Sequence, residues 1–158
     1  MRIKGILETF TDYKNISMII LSEKCDFKCE NEGLCPRGSC QNSSLSKSPT
    51  FEIKNENIVK QYLNNKLVRS IVIGGLEPML QFDEIIDFIH EFRKYTLDDV
   101  VIFTGYNKYE ILDKIDELKK YKNIIIKYGR FNSQLESKFD EVLGIKLASS
   151  NQYAEKIS

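Results

Sequence analysis

The sequence predicts an α/β fold, and within that class a partial (open) parallel α/β barrel of repeated βα units. Short apolar runs alternate along the chain with segments whose apolar residues recur every three or four positions. Strands separated by helices in this way imply crossover connections and a parallel sheet. The repeats are too few for a closed eight-stranded barrel. They fill one predicted domain, 1–158, with a cysteine-rich loop at 22–48.

The strands are predicted from short runs rich in Ile and Val. Several of these runs stop at glycine, as at Gly74 and Gly129. In a parallel sheet the carboxyl ends of the strands meet at one edge, where ligands bind. The predicted strands are 16–21, 70–73, 99–103 and 123–127, followed by a last short strand at 141–147.

The helices are predicted from apolar residues spaced by three and four positions. Asn55 is the predicted N-cap of the first helix, and Pro78 suits a first helical turn. The small polar residues at 43–49 predict a loop. The predicted helices are 55–65, 82–92 and 111–118.

Composition narrows the classes of function. The 158 residues include 23 Lys plus Arg and 23 Asp plus Glu, a zero net charge that argues against a general nucleic-acid binder. No apolar run reaches the roughly 18 residues of a membrane span, and the N-terminus lacks the apolar stretch of a signal peptide. A cytoplasmic protein without a membrane partner is therefore expected. The single histidine, His90, is predicted to lie on a helix, so a histidine-dependent mechanism is poorly supported.

Four cysteines lie close together directly after the first predicted strand. The reducing cytoplasm disfavours disulfides, so such a cluster favours metal binding. Two alternatives stay open on spacing alone. One is a zinc site with four thiolates, and the other is a [4Fe-4S] cluster held by three thiolates, which leaves one iron open to a ligand. The four are Cys25, Cys29, Cys35 and Cys40.

A second candidate site follows the strand at 70–73. The segment 74–78 reads Gly-Gly-Leu-Glu-Pro and opens a helix. Two glycines there let the backbone approach a ligand and expose N–H groups to it. An ordinary strand-to-helix turn is the alternative interpretation.

The cysteine loop and the glycine segment together resemble the radical S-adenosylmethionine superfamily. Its members carry three cysteines after the first strand and a Gly-Gly-Glu-Pro segment after the second. Within the superfamily the chain is most similar to the small activating enzymes of the anaerobic ribonucleoside-triphosphate reductase. Three further segments carry this likeness: Cys-Gln-Asn at 40–42, Phe-Thr-Gly-Tyr at 103–106 and Ala-Ser-Ser-Asn-Gln at 148–152.

The resemblance also implies a set of site residues. Cys25, Cys29 and Cys40 become the cluster ligands because Gln-Asn follows the third of them, and Cys35 stands as an alternative or extra ligand in an inserted loop. The superfamily's usual spacing is three residues and then two, whereas here it is three and then ten. The implied contacts to S-adenosylmethionine are Gly74, Gly75, Glu77, Thr104, Ser149 and Asn151, with Glu77 alternatively capping a helix.

The implied activity is reductive cleavage of S-adenosylmethionine by the [4Fe-4S] cluster, which generates a 5′-deoxyadenosyl radical under anaerobic conditions. The implied partners are a large glycyl-radical enzyme subunit, whose backbone glycine loses a hydrogen atom, and an electron donor such as flavodoxin or ferredoxin. Two rival functions stay open. One is a radical enzyme acting on another peptide or small molecule, and the other is a non-catalytic zinc or iron–sulfur module.

Overall fold

A computed structural model describes residues 1–40 and 42–158. Its main feature is a seven-stranded mixed sheet in the order β3-β1-β2-β4-β5-β6-β9, beside a separate β7–β8 hairpin. The strands are β1 (Arg2–Thr9), β2 (Ser17–Ser22), β3 (Phe51–Glu52), β4 (Ser70–Gly74), β5 (Asp99–Phe103), β6 (Ile124–Tyr128), β7 (Lys138–Asp140), β8 (Ile145–Leu147) and β9 (Tyr153–Lys156). The helices are α1 (Lys28–Asn31), α2 (Ser43–Ser46), α3 (Asn55–Asn64), α4 (Phe82–Phe92) and α5 (Leu112–Leu118), with 3₁₀ turns at Pro78–Gln81 and Lys108–Glu110.

The centre of the sheet is parallel, as predicted. Strands β2, β4, β5 and β6 are neighbours in chain order, and each pair is parallel. The edges are antiparallel, because β1 and β3 extend one side and β9 pairs with β6 on the other. The predicted α/β class is therefore confirmed. The predicted open barrel concerns how the sheet curves, and it stays a prediction.

Two apolar layers hold the sheet. The larger layer packs α3, α4 and α5 on one face, through fully buried side chains such as Ile58, Phe88 and Leu118. The opposite face carries the alternate residues of the same strands, among them Val72 and Val101, and the segment around β7 and β8 covers it. Because both faces are covered, each central strand contains a continuous apolar run of three or four residues.

Three local predictions need correction. The predicted loop at 43–49 contains the short helix α2, although none of its residues is buried. The residue in the N-cap position of α3 is Lys54, not Asn55, and its extended backbone starts the helix without a side-chain bond. The last predicted strand, 141–147, is shorter, since 141–144 form the turn between β7 and β8. Within the described residues, no helix is both long and apolar enough to cross a bilayer.

Candidate functional site

The carboxyl ends of β2, β4, β5 and β6 surround a cavity of about 580 Å³. This is the edge at which parallel α/β sheets bind ligands. The lining comes from the cysteine loop, the segment after β4, the ends of β5 and β6, and the residues around β8. The topology thus brings together segments that lie more than a hundred residues apart in the sequence.

Three of the four cysteines line this cavity: Cys25, Cys29 and Cys40. The fourth, Cys35, is buried beside Cys29 and is not among the described lining residues. All four thiols are free. Across 1–40 and 42–158, no group of three or more Cys, His, Asp or Glu is gathered as one metal ion would require.

The environments of Cys25 and Cys29 favour neutral thiols when no metal is bound. Burial raises the pKa of Cys25 to about 11, although the Phe27 N–H opposes this shift. Burial and the adjacent Cys35 raise the pKa of Cys29 to about 12. Metal ligation needs thiolates, so the positive charge of bound iron would have to compensate this cost.

The loop backbone is shaped around the first two cysteines. Phe27 adopts a left-handed conformation, with φ of 52°, and its N–H lies 3.3 Å from the Cys25 sulfur. This conformation is uncommon for a bulky residue and marks a site of local strain. The turn that follows, α1, carries Cys29. At the base of the loop the Glu77 N–H donates to the Lys24 carbonyl at 2.9 Å, which ties the cysteine loop to the glycine segment.

Gly75 is required by its surroundings as well as by the turn. Its φ is +79°, and a Cβ at this position would lie 2.8 Å from Leu21 Cδ2 and 2.9 Å from Leu45 Cδ2. Gly75 lines the cavity, whereas Gly74 ends β4 beside Phe103. The close approach of the Leu45 side chain brings the end of the cysteine loop onto the diglycine turn.

The Glu77 side chain links the ends of β4 and β5. It caps the 3₁₀ turn that begins at Pro78 by accepting from the Met79 N–H at 3.0 Å, so the alternative prediction of a helix cap is confirmed. It also accepts from the Thr104 hydroxyl at 2.7 Å and from the Gly105 N–H at 2.8 Å. Burial raises the pKa of this carboxyl, and the three donors oppose that shift. Both Glu77 and Thr104 line the cavity.

The predicted C-terminal contacts hold the loop after β6. Ser149 is fully buried, and its hydroxyl accepts from the Asn132 N–H at 3.2 Å. The Asn151 side-chain amide donates to the Arg130 carbonyl at 2.8 Å. Gln152, which belongs to the same predicted C-terminal segment, lines the cavity. The cofactor-binding roles of Ser149 and Asn151 stay predictions. Gln41, the middle residue of the Cys-Gln-Asn segment, lies outside the described residues.

Lys127 is a site residue that sequence reasoning missed. It is the penultimate residue of β6, lines the cavity and is only 8% exposed. Its ammonium donates to the Gly129 carbonyl at 3.0 Å. Burial lowers the pKa of Lys127 to about 8, and the Glu77 carboxylate opposes this shift. A charged residue at the end of the run Ile-Ile-Ile-Lys-Tyr was the available signal, because a buried lysine needs an anionic or polar partner.

Comparison with models of protein families shows to which family the chain belongs. Residues 16–154 match the model of the 4Fe-4S single cluster domain. The chain belongs to this family. The matched range includes all four cysteines and most of the residues that line the cavity, so the chain carries a 4Fe-4S cluster-binding domain. No curated protein and no solved structure matches the chain.

Proposed function

We propose that this protein is a radical S-adenosylmethionine enzyme that activates a glycyl-radical partner. The observation that carries the proposal is one cavity lined by three cysteines of a 4Fe-4S domain and by Gly75 of the diglycine turn. Neither the cysteines nor the diglycine turn alone is specific to radical S-adenosylmethionine enzymes. A cluster-bearing thiol set that faces a backbone-lined pocket provides both a metal centre and room for its ligand.

Cys25, Cys29 and Cys40 are the proposed cluster ligands, because these three face the cavity. Three thiolates leave one iron without a protein ligand, which S-adenosylmethionine would occupy. Cys35 lies behind Cys29 and is kept as an alternative or extra ligand. Its buried position suits packing beneath the loop better than contact with a ligand in the cavity.

The other lining residues suit the methionine end of the cofactor. Gly75 exposes backbone to the cavity, and Glu77, held by three donors, fixes the turn at the ends of β4 and β5. The Lys127 ammonium supplies positive charge on the cavity floor beside Phe103, at 6.0 Å from its ring. When bound, the reduced cluster supplies the electron that cleaves the sulfonium bond and yields the 5′-deoxyadenosyl radical. The protein's part is to hold the ligands, orient the cofactor and exclude water.

A protein substrate fits the cavity better than a small molecule does. A volume of about 580 Å³ is that of a site for one drug-sized ligand. The cluster and the cofactor together leave little space for a separate substrate, so the partner's own surface would complete the site. Such an enzyme would work anaerobically in the cytoplasm with an electron donor such as flavodoxin or ferredoxin, and its sheet would curve as an open barrel.

The test is anaerobic reconstitution with iron and sulfide, followed by reduction in the presence of S-adenosylmethionine. The proposal expects about four irons per chain, as the formula of the cluster requires, together with formation of 5′-deoxyadenosine. Cluster assembly without cleavage would leave only the 4Fe-4S domain and refute the radical chemistry. Cleavage that proceeds while no glycyl radical forms on a large reductase subunit would instead favour another peptide or small-molecule substrate.

A further inference from the structure

The cysteine loop is anchored to the opposite rim of the cavity by polar contacts that the proposed ligand roles do not explain. We call these contacts the loop clamp. On the loop side it consists of Asp26 and Glu32, and on the side of the strand ends it consists of Tyr106, Glu110 and Arg130.

Arg130 is the centre of the loop clamp. Its side chain is 6% exposed, and its two terminal nitrogens donate to Glu110 at 2.6 and 2.7 Å. Its Nε lies 3.0 Å from Glu32 Oε2, in an ion pair without hydrogen-bond alignment. One buried cation therefore joins the 3₁₀ turn after β5 to the cysteine loop, and pairing with two carboxylates compensates its burial.

Tyr106 forms the second part of the clamp. Its hydroxyl donates to Asp26 Oδ2 at 2.7 Å, one residue after the Cys25 position. Two cations face its ring, with Lys28 Nζ at 4.2 Å and the Arg130 guanidinium carbon at 5.7 Å from the centroid. Burial and the Asp26 carboxylate both raise the pKa of Tyr106, which keeps the phenol a hydrogen-bond donor.

Apolar packing holds the cysteine loop near its end, where Leu45 lies against Gly75, but little of it holds the part that carries Cys25 and Cys29. Neither α1 nor α2 has a buried residue. Among the described residues of 22–48, only Ser22 and Cys35 are buried. A loop with so little apolar contact depends on polar contacts for its order. Outside the loop clamp, one backbone hydrogen bond also holds the cysteine loop: the Ser133 N–H donates to the Leu34 carbonyl at 3.0 Å.

We propose that Arg130 is a positioning residue, which fixes the cysteine loop so that a cluster on it faces the cofactor turn. The part of this inference that concerns the cofactor rests on the proposed function, whereas the part that concerns the order of the cysteine loop does not. It separates two properties of the protein. Cluster assembly depends on the cysteines, whereas the coupling of cluster to cofactor depends on the position that Arg130 imposes.

The test compares Arg130→Met with Arg93→Met in the cluster-loaded protein. Arg93 is a matched control, because it is a half-buried arginine at the other end of the sheet that donates to the carbonyls of Asp98 at 2.9 Å and Asn123 at 3.3 Å. The first measurement is hydrogen exchange of the loop amides. The second is the EPR spectrum of the reduced cluster during a titration with S-adenosylmethionine.

Arg130→Met is expected to keep its iron, to exchange the amides of residues 26–34 at least about tenfold faster and to need about tenfold more S-adenosylmethionine for the same spectral change. Arg130→Lys is expected to recover part of both effects, because it keeps a charge near Glu110. Glu32→Gln, an exposed position that does not endanger folding, should speed exchange in the same direction.

Unchanged loop exchange in Arg130→Met and Glu32→Gln would overturn the proposal. Equal effects of Arg130→Met and Arg93→Met would overturn it as well, since a general loss of stability would then explain both. If the wild-type cluster does not respond to S-adenosylmethionine, the proposed function fails, while the exchange measurement still decides the role of the clamp.

Discussion

Replacing Gly75 by alanine tests how closely the Leu21 and Leu45 side chains pack on this glycine. The new Cβ would lie 2.8 Å from Leu21 Cδ2 and 2.9 Å from Leu45 Cδ2, distances that force both side chains to move. Both atoms are the ends of partly exposed leucine side chains, which can turn aside, so the overpacking cost lies in the lower part of the usual range, at about 1–2 kcal/mol. The positive φ of +79° adds about 1–2 kcal/mol for a residue with a Cβ. The free energy of unfolding should therefore fall by about 2–4 kcal/mol.

Gly33→Ala is the matched control for Gly75→Ala. Its φ is similar, at +72°, but no atom lies within 4 Å of the added Cβ, so only the backbone cost of about 1–2 kcal/mol applies. In a protein of this size 1 kcal/mol corresponds to about 2–4 °C in Tm. Anaerobic circular-dichroism melts of the reconstituted protein should show the larger drop for Gly75→Ala, by several degrees. Equal drops in the two variants would refute the close-packing account of Gly75.

Three further predictions address the ligands, the buried lysine and the core. Cys40→Ala should lose the [4Fe-4S] absorption and most of its iron on reconstitution, whereas Cys35→Ala should keep both; the reverse pattern would contradict the proposed ligand set. Lys127 has a folded pKa of about 8, below its ordinary value, so its burial costs stability at neutral pH and that cost is relieved as the pH rises through 8 towards 10.5. The Tm of the wild-type protein should therefore rise relative to that of Lys127→Met across this window, and parallel profiles would contradict the assignment. Phe88→Ala, at a fully buried position on α4, should lower the free energy of unfolding in urea by about 3–5 kcal/mol, whereas Phe51→Ala, 57% exposed on edge strand β3, should cost less than about 1 kcal/mol.

The sequence predicts the parts of the fold whose signal is local. The central strands are apolar on both faces, and α4 repeats its apolar residues every three or four positions, so both are visible in the sequence. Strand β1, which lies between β2 and the short edge strand β3, and edge strand β9 escape this reasoning because both carry charged residues and are partly exposed. The pairing of β1 with β2 also shifts register between Ile3 and Gly5, which breaks the alternation on which a strand prediction depends.

The residues of the candidate site also divide into those with a local sequence signal and those without one. The cysteines and the diglycine segment are short motifs, so the sequence alone predicts them. The partners of Glu77 are not visible there, because Thr104 and Gly105 reach it only when β4 and β5 are neighbours in the sheet. Arg130 and Lys127 are single charged residues, and their roles depend on burial and on which loops surround them. Sequence reasoning therefore finds candidate ligands, which form short motifs, more readily than single charged residues whose contacts form only in the folded chain.

The core of the protein also sets the position of the site. Leu21 pairs with Gly74, so the cysteine loop leaves β2 directly beside the diglycine turn. A slip of one residue in this register would move Ile20, fully buried in the layer beneath the helices, to the opposite face of the sheet. The packing of α3 and α4 opposes such a slip at every central strand. The register of the core strands thus fixes where the cysteine loop begins relative to the diglycine turn, and the proposed loop clamp holds Asp26 and Glu32 of that loop against the opposite rim.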